Sequence, residues 1–315
     1  MANIHIITNP LSGHNRKHPT RFDAMLVKAT QKCHPNNSIT VHKPRGLDVL
    51  LETVQQIYRE QGDILCIHGG DGTVHQAFTA LWQVYGTHTP YPQIAILKGG
   101  TMNNIARNVG VGFWSTASQL LEAITSQQNL STCIRHPLVV NDTRSGFIYG
   151  NVALAPFLQD YYTGSPPSPA KGFWMFCKTV FSAIFNTAYA QRILAPTPFQ
   201  MVIDDQPLPK DAYTMLGLST VADLGFYFRP FYNTLQDPTS LQLIAMTCSP
   251  LNIVKVLPHL WFAKPTRKPY ITDKIGKKVH FLYDTPQVST MDGDVYPPQN
   301  EETICVGPAV TFLHL

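Results

Sequence analysis

Short apolar runs alternate with amphipathic, helix-length segments over residues 1–135. The apolar runs predict the strands Ile4–Thr8, Ile39–His42, Ile64–His68 and Ile94–Leu97. The segments between and after them predict the helices Arg21–Gln31, Leu47–Glu60, Thr73–Val84 and Asn103–Val109. Strand-helix alternation of this kind predicts an α/β domain with a parallel sheet and helices on both faces. Ligands of such sheets bind beyond the carboxyl ends of the strands.

After about Cys133 the pattern changes to β-type runs separated mostly by Pro and Gly turns. This pattern predicts a C-terminal antiparallel β-sandwich domain over residues 136–315, after the α/β domain at residues 1–135. The predicted strands are Ile134–Val140, Phe147–Ala155, Phe199–Ile203, Tyr213–Ser219, Leu241–Thr247, Val279–Tyr283 and Ile304–Leu315. An apolar, aromatic insert at residues 161–194 contains a predicted helix over Lys171–Tyr189, and a second helix is predicted over Leu251–Ala263.

Composition narrows the class of protein. Apolar residues make up 44% of the chain and charged residues only 14%, which fits either a protein that works on apolar ligands or a large core under an uncharged polar surface. The net charge is +4 without a Lys/Arg run, so nucleic acid is not an expected partner. The six cysteines are scattered singly, which predicts neither a zinc site nor a disulfide framework. Without a signal-peptide pattern or an apolar stretch of about 20 residues, we expect a cytoplasmic protein whose membrane contact is peripheral.

A glycine-rich turn follows the third predicted strand and consists of Gly69, Gly70, Asp71, Gly72 and Thr73. Glycines let the backbone approach a phosphate closely, and the N-terminus of the helix that follows adds N–H donors and a partial positive charge. Asp71 is a candidate Mg²⁺ ligand or a group that polarises an attacking hydroxyl, and Thr73 is a candidate phosphate ligand. A purely structural turn capped by Asp71 or Thr73 is the less favoured alternative.

Two further turns follow neighbouring strands. Asn9 and Ser12 lie in a turn after the first strand, where they offer hydrogen bonds, although a plain loop explains this turn as well. Thr101 and Asn103 follow a second pair of glycines after the fourth strand and are candidate phosphate or adenosine contacts. Much later, Asp292-Gly293-Asp294 lies between β-type runs, and by itself this pattern is typical of a hairpin turn.

Together these four segments resemble the diacylglycerol kinase catalytic-domain family, which includes bacterial lipid kinases and sphingosine and ceramide kinases. The glycine turn alone is shared with NAD kinases and phosphofructokinases, whereas the order and spacing of all four segments resemble the lipid kinases. The resemblance implies an α/β nucleotide-binding domain followed by a β-sandwich, with final strands that pack back onto the first domain. It also implies that ATP and a lipid alcohol are the substrates.

The resemblance further implies roles for single residues. The implied nucleotide contacts are Asn9, Ser12, Gly69, Gly70, Asp71, Gly72, Thr73, Thr101 and Asn103. Asp71 and Asp292 are the implied catalytic residues, with Asp292 as the general base on the lipid hydroxyl. Asp71 would also be one of the ligands of a Mg²⁺ ion that neutralises the charge of the phosphates.

The sequence departs from the family pattern near the expected phosphates. Gln76 and Asn104 stand where many members have acids, and Lys98 stands where many have proline. The loop that carries a structural Mg²⁺ in bacterial members retains only Asp237 as an acid. These departures keep two alternatives open, namely a catalytically impaired nucleotide- or lipid-binding homologue and a kinase of a soluble acceptor, similar to NAD kinases. The identity of the lipid and the oligomeric state are left open by the sequence.

Overall fold

A computed structural model describes residues 2–225 and 228–315. The strands are β1 (Asn3–Thr8), β2 (Ser38–His42), β3 (Ile64–Gly69), β4 (Gln93–Lys98), β5 (Ser131–Arg135), β6 (Leu138–Val140), β7 (Arg144–Gly146), β8 (Ile148–Asn151), β9 (Thr197–Ile203), β10 (Gln206–Pro207), β11 (Asp211–Tyr213), β12 (Met215–Ser219), β13 (Leu241–Met246), β14 (Ile271–Gly276), β15 (Lys278–Met291), β16 (Asp294–Val306) and β17 (Val310–His314). The helices are α1 (Gly13–Lys17), α2 (Arg21–Gln31), α3 (Leu47–Arg59), α4 (Asp71–Tyr85), α5 (Asn104–Asn108), α6 (Ala117–Thr125), α7 (Leu154–Tyr162), α8 (Pro169–Ile184), α9 (Ala188–Ile193) and α10 (Pro250–Trp261), and a 3-10 helix spans Tyr232–Leu235.

The chain forms two compact units. The first comprises Met1–Pro137, Thr143–Gly146 and Gly307–Leu315, and the second comprises Leu138–Asp142 and Phe147–Val306.

The first unit is built on a six-stranded sheet with the order β2-β1-β3-β4-β17-β5. Strands β1 to β4 and β17 pair in parallel, and β5 runs antiparallel to β17 at the edge. Because helices cover both faces, the central strands are apolar almost throughout. Leu313 packs on one face with residues of α2 and α6, while the ring of Phe312 lies 5.9 Å from that of Phe78 of α4 on the other face.

The second unit is an antiparallel sheet in which β14, β13, β12, β8, β15, β16 and β6 follow one another, with β9 paired to β15 and with β10 and β11 paired to β9. The long strand β15 joins two halves of this sheet, one that contains β8 and one that contains β9. Its residues 279–283 pair with β9, and its residues 289–291 pair with β8. A β-bulge between Leu282 and Gln287 changes the direction of the strand between these pairings. Leu216 and Leu243 from one half pack in one core with Phe199 and Phe281 from the other, as in a β-sandwich.

The fold class predicted from the sequence is confirmed, and several element boundaries differ. The prediction of a strand over Phe147–Ala155 is wrong at its end, because the strand stops at Asn151, Val152 has φ of +52°, and helix α7 begins at Leu154. The predicted helix Lys171–Tyr189 is two helices, α8 and α9, separated by the left-handed residue Asn186.

Two predicted strands are also divided. The run Ile134–Val140 forms β5 and β6, and the run Ile304–Leu315 forms the end of β16 and all of β17. Pro137 and Pro308 lie between the members of these pairs and cannot donate a hydrogen bond to a neighbouring strand. Across the described residues, no helix has both the length and the apolar character needed to cross a membrane.

Candidate functional site

The glycine turn lies between β3 and α4 in the first unit. Strand β3 ends at Gly69, Gly70 is extended with φ of −96°, and α4 begins at Asp71. A Cβ atom on Gly69 would lie 2.5 Å from the side chain of Thr73, so only glycine fits at this bend. The first N–H groups of a helix have no partners within the helix, and α4 therefore presents N–H donors and a partial positive charge at this turn.

The second pair of glycines lies directly against the first. A Cβ atom on Gly100 would lie 2.2 Å from the Cα atom of Gly70, and one on Gly70 would lie 3.0 Å from the Cα atom of Gly100. The Gly99 N–H donates to the Gly69 carbonyl oxygen at 2.9 Å. The two turns therefore form a continuous backbone surface that side chains larger than hydrogen would cover, as expected for a phosphate cradle.

The turn after β1 joins the same group. Asn9 Nδ2 donates to Thr73 Oγ1 at 3.0 Å, and Ser12 Oγ donates to the Gly99 carbonyl oxygen at 3.0 Å. A Cβ atom on Gly13 would lie 2.4 Å from Thr101 Oγ1. The structure thus brings all the predicted nucleotide contacts together at the carboxyl ends of β1, β3 and β4.

Asp71 and Asn103 shape the turn that precedes α5. Asp71 Oδ1 accepts a hydrogen bond from the Ile105 N–H at 3.0 Å. Asn103 has φ of +52°, and its side-chain amide accepts from the Gly100 N–H and donates to the Gly100 carbonyl oxygen, both at 3.0 Å. Asn103 therefore holds the second glycine turn closed, a structural role that its position in the sequence did not reveal.

Asn15 and His68 support the site and were not singled out by the sequence. Asn15 Nδ2 donates to the Asn9 carbonyl oxygen at 2.9 Å and lies 3.4 Å from Nδ1 of the buried His68. Thr8 Oγ1 lies 2.9 Å from the same His68 nitrogen, and the His68 ring stacks on Phe22. No local pattern marks Asn15, because its contacts come from the packing of α1 against the ends of β1 and β3.

Two departures from the family pattern have defined partners. Lys98 Nζ donates to the carbonyl oxygens of Gly112 and Phe113 at 2.8 and 3.2 Å. Burial, followed by the positive charge of Arg107, lowers the pKa of Lys98. Arg107 Nη2 donates to Asn104 Oδ1 at 2.7 Å, so Asn104 acts as an acceptor for this cation although it lacks a charge.

Asp292 lies in the second unit, in the turn between β15 and β16. Met291 pairs with Asp294, and Asp292 and Gly293 have φ values of +49° and +98°, as in a two-residue hairpin turn. The Asp292 carboxylate accepts hydrogen bonds from the Phe147 N–H at 3.0 Å and from the Ile148 N–H at 2.9 Å. These bonds fix the orientation of a carboxylate whose position in a turn would otherwise leave it mobile.

The donor set fits a nucleotide-borne Mg²⁺ better than a metal site made by the protein alone. Within residues 2–225 and 228–315, no group of three or more His, Cys, Asp or Glu side chains could hold a metal ion. Mg²⁺ commonly binds one or two carboxylates together with substrate phosphates, and Asp71 beside the glycine cradle supplies one such carboxylate. Asp237 is engaged differently, because its carboxylate accepts from Thr239 and Ser240, and these bonds lower its pKa to about 2.

Comparison with known families gives a match for most of the first unit. Residues 3–133 match the sequence model of the diacylglycerol kinase catalytic domain. Most of the first unit is therefore similar in sequence to diacylglycerol kinase catalytic domains. All three turns described above lie inside the matched residues, whereas Asp292 lies beyond them.

Solved structures share the fold of the whole chain. A diacylglycerol kinase from Bacillus anthracis str. Sterne is 16% identical with a TM-score of 0.67, over 99% of this chain and 97% of that one. A yeast NADH kinase in complex with NADH is 13% identical with a TM-score of 0.51, over 100% of this chain and 84% of that one. At these identities the likeness establishes the fold. No curated protein matches the sequence.

Proposed function

We propose that this diacylglycerol kinase-type chain is an ATP-dependent kinase that phosphorylates the hydroxyl group of a lipid alcohol, such as diacylglycerol or a sphingoid base. The observation that carries the proposal is the contact between Gly70 and Gly100 at the N-terminus of α4, where the first N–H groups of the helix have no partner within the helix and suit a chain of phosphates. In this proposal the turns at Asn9, Ser12, Gly69–Thr73, Thr101 and Asn103 bind ATP.

The reaction would be a direct transfer of the γ-phosphoryl group. The lipid hydroxyl oxygen attacks the γ-phosphorus, the bond to the β–γ bridging oxygen breaks, and ADP leaves. Asp292 would take the hydroxyl proton, and its two backbone hydrogen bonds support this role because they fix the direction of the carboxylate. Asp71 would help to hold the Mg²⁺ that binds with ATP, and this ion would neutralise the charge of the phosphates.

The composition of the second unit supports an apolar acceptor. Its insert at residues 161–194 is aromatic and contains no acidic residue, whereas a soluble phosphorylated acceptor would require several charged contacts. We also propose that this kinase is located in the cytoplasm.

Purified protein incubated with γ-labelled ATP, Mg²⁺ and a panel of acceptors tests the proposal. The panel contains diacylglycerol, a sphingoid base and ceramide dispersed in detergent, with NAD as the soluble comparison. We expect label in at least one lipid and none in NAD. Label in NAD alone would replace the lipid acceptor by a soluble one, and ATP binding without transfer to any acceptor would contradict the proposal of a kinase.

Asp71→Asn tests the proposed metal contact separately. The asparagine oxygen can still accept from the Ile105 N–H, so the turn should remain folded. We expect the affinity for ATP measured with Mg²⁺ to fall towards the value measured with EDTA, where wild type and variant should agree. An unchanged Mg²⁺ dependence of ATP binding would remove Asp71 from the proposed site.

A further inference from the structure

The outward face of helix α8 is apolar. Phe173, Trp174, Phe181, Ile184 and Phe185, which follows the helix, are 52, 61, 63, 43 and 72% exposed. Their spacing of three, four and seven residues places them along one side of the helix. A helix on the surface of a protein normally presents polar residues to water, and α8 presents an aromatic stripe instead.

Helix α10 lies beside α8 and extends this surface. The ring of Trp261 lies 5.8 Å from that of Phe176 of α8. Leu251 at the start of α10 and Phe262 at its end are 42% and 71% exposed. We call the outward sides of α8 and α10, with Phe185 and Phe262, the α8–α10 face.

The two chain segments that form the α8–α10 face carry cations and no acidic residue. No acidic residue occurs between Asp160 and Asp204 or between Asp237 and Asp273. The same two segments carry the exposed Arg192, which pairs with Asp160, and five further exposed cations, namely Lys178, Lys255, Lys264, Arg267 and Lys268. Among the described residues, no carboxylate forms a salt bridge with any of these five.

Lys178 shows how cation and aromatic groups are combined on this face. Its Nζ lies 5.5 Å from the centroid of Trp174 and 4.2 Å from that of Tyr189. A lysine held over aromatic rings keeps its ammonium group at the outer end of an apolar surface. At a lipid interface the rings enter the boundary between headgroups and acyl chains while the ammonium group reaches the lipid phosphates.

The exposed aromatic rings, together with cations that have no carboxylate partner, indicate what kind of surface binds the α8–α10 face. An apolar protein surface would strip water from the cations without supplying anions, which is costly. An anionic bilayer satisfies both parts, since its acyl boundary takes the rings and its phosphates attract the lysines. We propose that the α8–α10 face docks on anionic lipid bilayers, with α8 lying in the plane of the interface.

This inference rests on the proposed function for its purpose, because it names the surface on which a lipid kinase would meet its acceptor. Docking itself needs no nucleotide and no reaction. Vesicle binding measured without ATP therefore tests the face independently of catalysis.

Sedimentation with vesicles tests the inference, using phosphatidylcholine alone and an equimolar mixture of phosphatidylcholine and phosphatidylglycerol. We expect wild type to bind the mixed vesicles at least about tenfold more tightly, and salt to weaken this binding. W174A/F181A and K178Q/K255Q should each lower the affinity for mixed vesicles by about tenfold. Brominated acyl chains should quench the fluorescence of wild type, and W174F should lose most of this quenching.

Matched controls come from the first unit. F113A/W114A removes two rings that are 69% and 87% exposed, and K17Q/K28Q removes two exposed lysines. Both controls should bind mixed vesicles as wild type does. Circular dichroism and thermal melting report whether each variant is folded, and K178Q/K255Q decides the result if W174A/F181A does not fold.

Three results would overturn the inference. One is equal wild-type binding to both kinds of vesicle, and another is wild-type binding by both α8–α10 variants. The third is light scattering that shows a dimer in wild type and a monomer in W174A/F181A, because the face would then join two copies of the chain. If the protein phosphorylates detergent-dispersed lipid but does not bind vesicles, the proposed kinase activity is supported and the docking inference is contradicted. If it binds vesicles but phosphorylates no acceptor, the docking inference is supported and the kinase proposal is contradicted.

Discussion

At the scale of single residues, the proposed phosphate site depends on the close contact between Gly70 and Gly100. A Cβ atom on Gly70 already lies 3.0 Å from the Gly100 Cα atom, so a branched side chain must project over the turn. We expect G70V to weaken ATP binding, measured by calorimetry, by at least about a hundredfold, comparable to losing two charge-assisted hydrogen bonds.

Gly112 provides the control for this substitution. A Cβ atom there would meet only Ser115 Oγ, at 3.1 Å, and the Gly112 carbonyl oxygen that accepts from Lys98 Nζ is kept. G112V should bind ATP as wild type does. If G70V bound ATP equally well while folded, the phosphates could not lie over the glycine turns.

At Asp292, a substitution can remove the proposed general base while keeping the local hydrogen bonding. Asp292→Asn keeps an oxygen that can accept the Ile148 N–H bond but loses the negative charge that a general base needs. We expect turnover to fall by about two to four orders of magnitude with little change in ATP affinity.

Asp294 lies two residues further on the same hairpin and gives a matched control. Asp294→Asn removes the same charge, and it should retain most of the activity in the labelled-ATP assay. Equal losses in both variants would point to the charge of the hairpin as a whole, and full activity of Asp292→Asn would assign the base elsewhere.

The sequence predicted the grouping of the candidate residues better than their individual contacts. Turns that follow neighbouring parallel strands must meet at one edge of the sheet, so the proximity of Asn9, Thr73 and Thr101 follows from the strand pattern. The bonds from Asp71 to Ile105 and from Asn103 to Gly100 do not follow from it. They depend on loop conformations such as the left-handed Asn103, which local pattern does not specify.

At the scale of elements, strongly periodic segments were predicted well and short mixed segments were not. The predicted α2 has the observed bounds Arg21–Gln31, because its apolar positions repeat with helical spacing. Helix α6 was missed although Thr116 and Gln119 form a capping box, a signal that was present in the sequence. Helix α7 was missed because Val152, Ala153 and Leu154 extend the apolar β-type run beyond Asn151, where the strand ends.

The pairing of β1 with β2 contains a pH-sensitive element. His5 Nδ1 lies 3.1 Å from His42 Nε2, and the rings are stacked. Burial, and then the charge of His42, lowers the pKa of His5 below 6.5, with Glu60 opposing; burial lowers the pKa of His42 in the same way. The unfolded chain therefore binds protons more readily than the folded one, and stability is lost as pH falls below about 6.5.

Urea unfolding between about pH 7.5 and about pH 5.5 should show this loss. His42→Gln should reduce the pH dependence of the free energy of unfolding, because one of the two shifted groups is gone. His88 is exposed, and H88Q should leave the pH dependence as in wild type. A slope that His42→Gln does not change would mean that the histidine pair does not control acid sensitivity.

At the scale of the whole molecule, the first unit depends on a strand that follows the whole second unit in sequence. Strand β17 lies between β4 and β5, and the fully buried Phe312 stacks on Phe78. Phe312→Ala should destabilise the first unit by about 3–5 kcal/mol, measured by urea unfolding, because it leaves a cavity in the core. The exposed Phe113 gives the control, since F113A should change stability by less than about 0.5 kcal/mol. Similar stability of the two variants would contradict the place of β17 in the sheet.

The position of β17 also has a consequence for synthesis. Domains generally fold from the N-terminus while the chain is being made, but this sheet lacks an inner strand until β17, which follows the whole second unit in sequence, has been synthesised. During translation β4 and β5 would each expose an edge that β17 later covers, and exposed edges favour aggregation. The first unit, although it begins before the second, can therefore be completed only after the second unit has been synthesised, and until then it should depend most on chaperones.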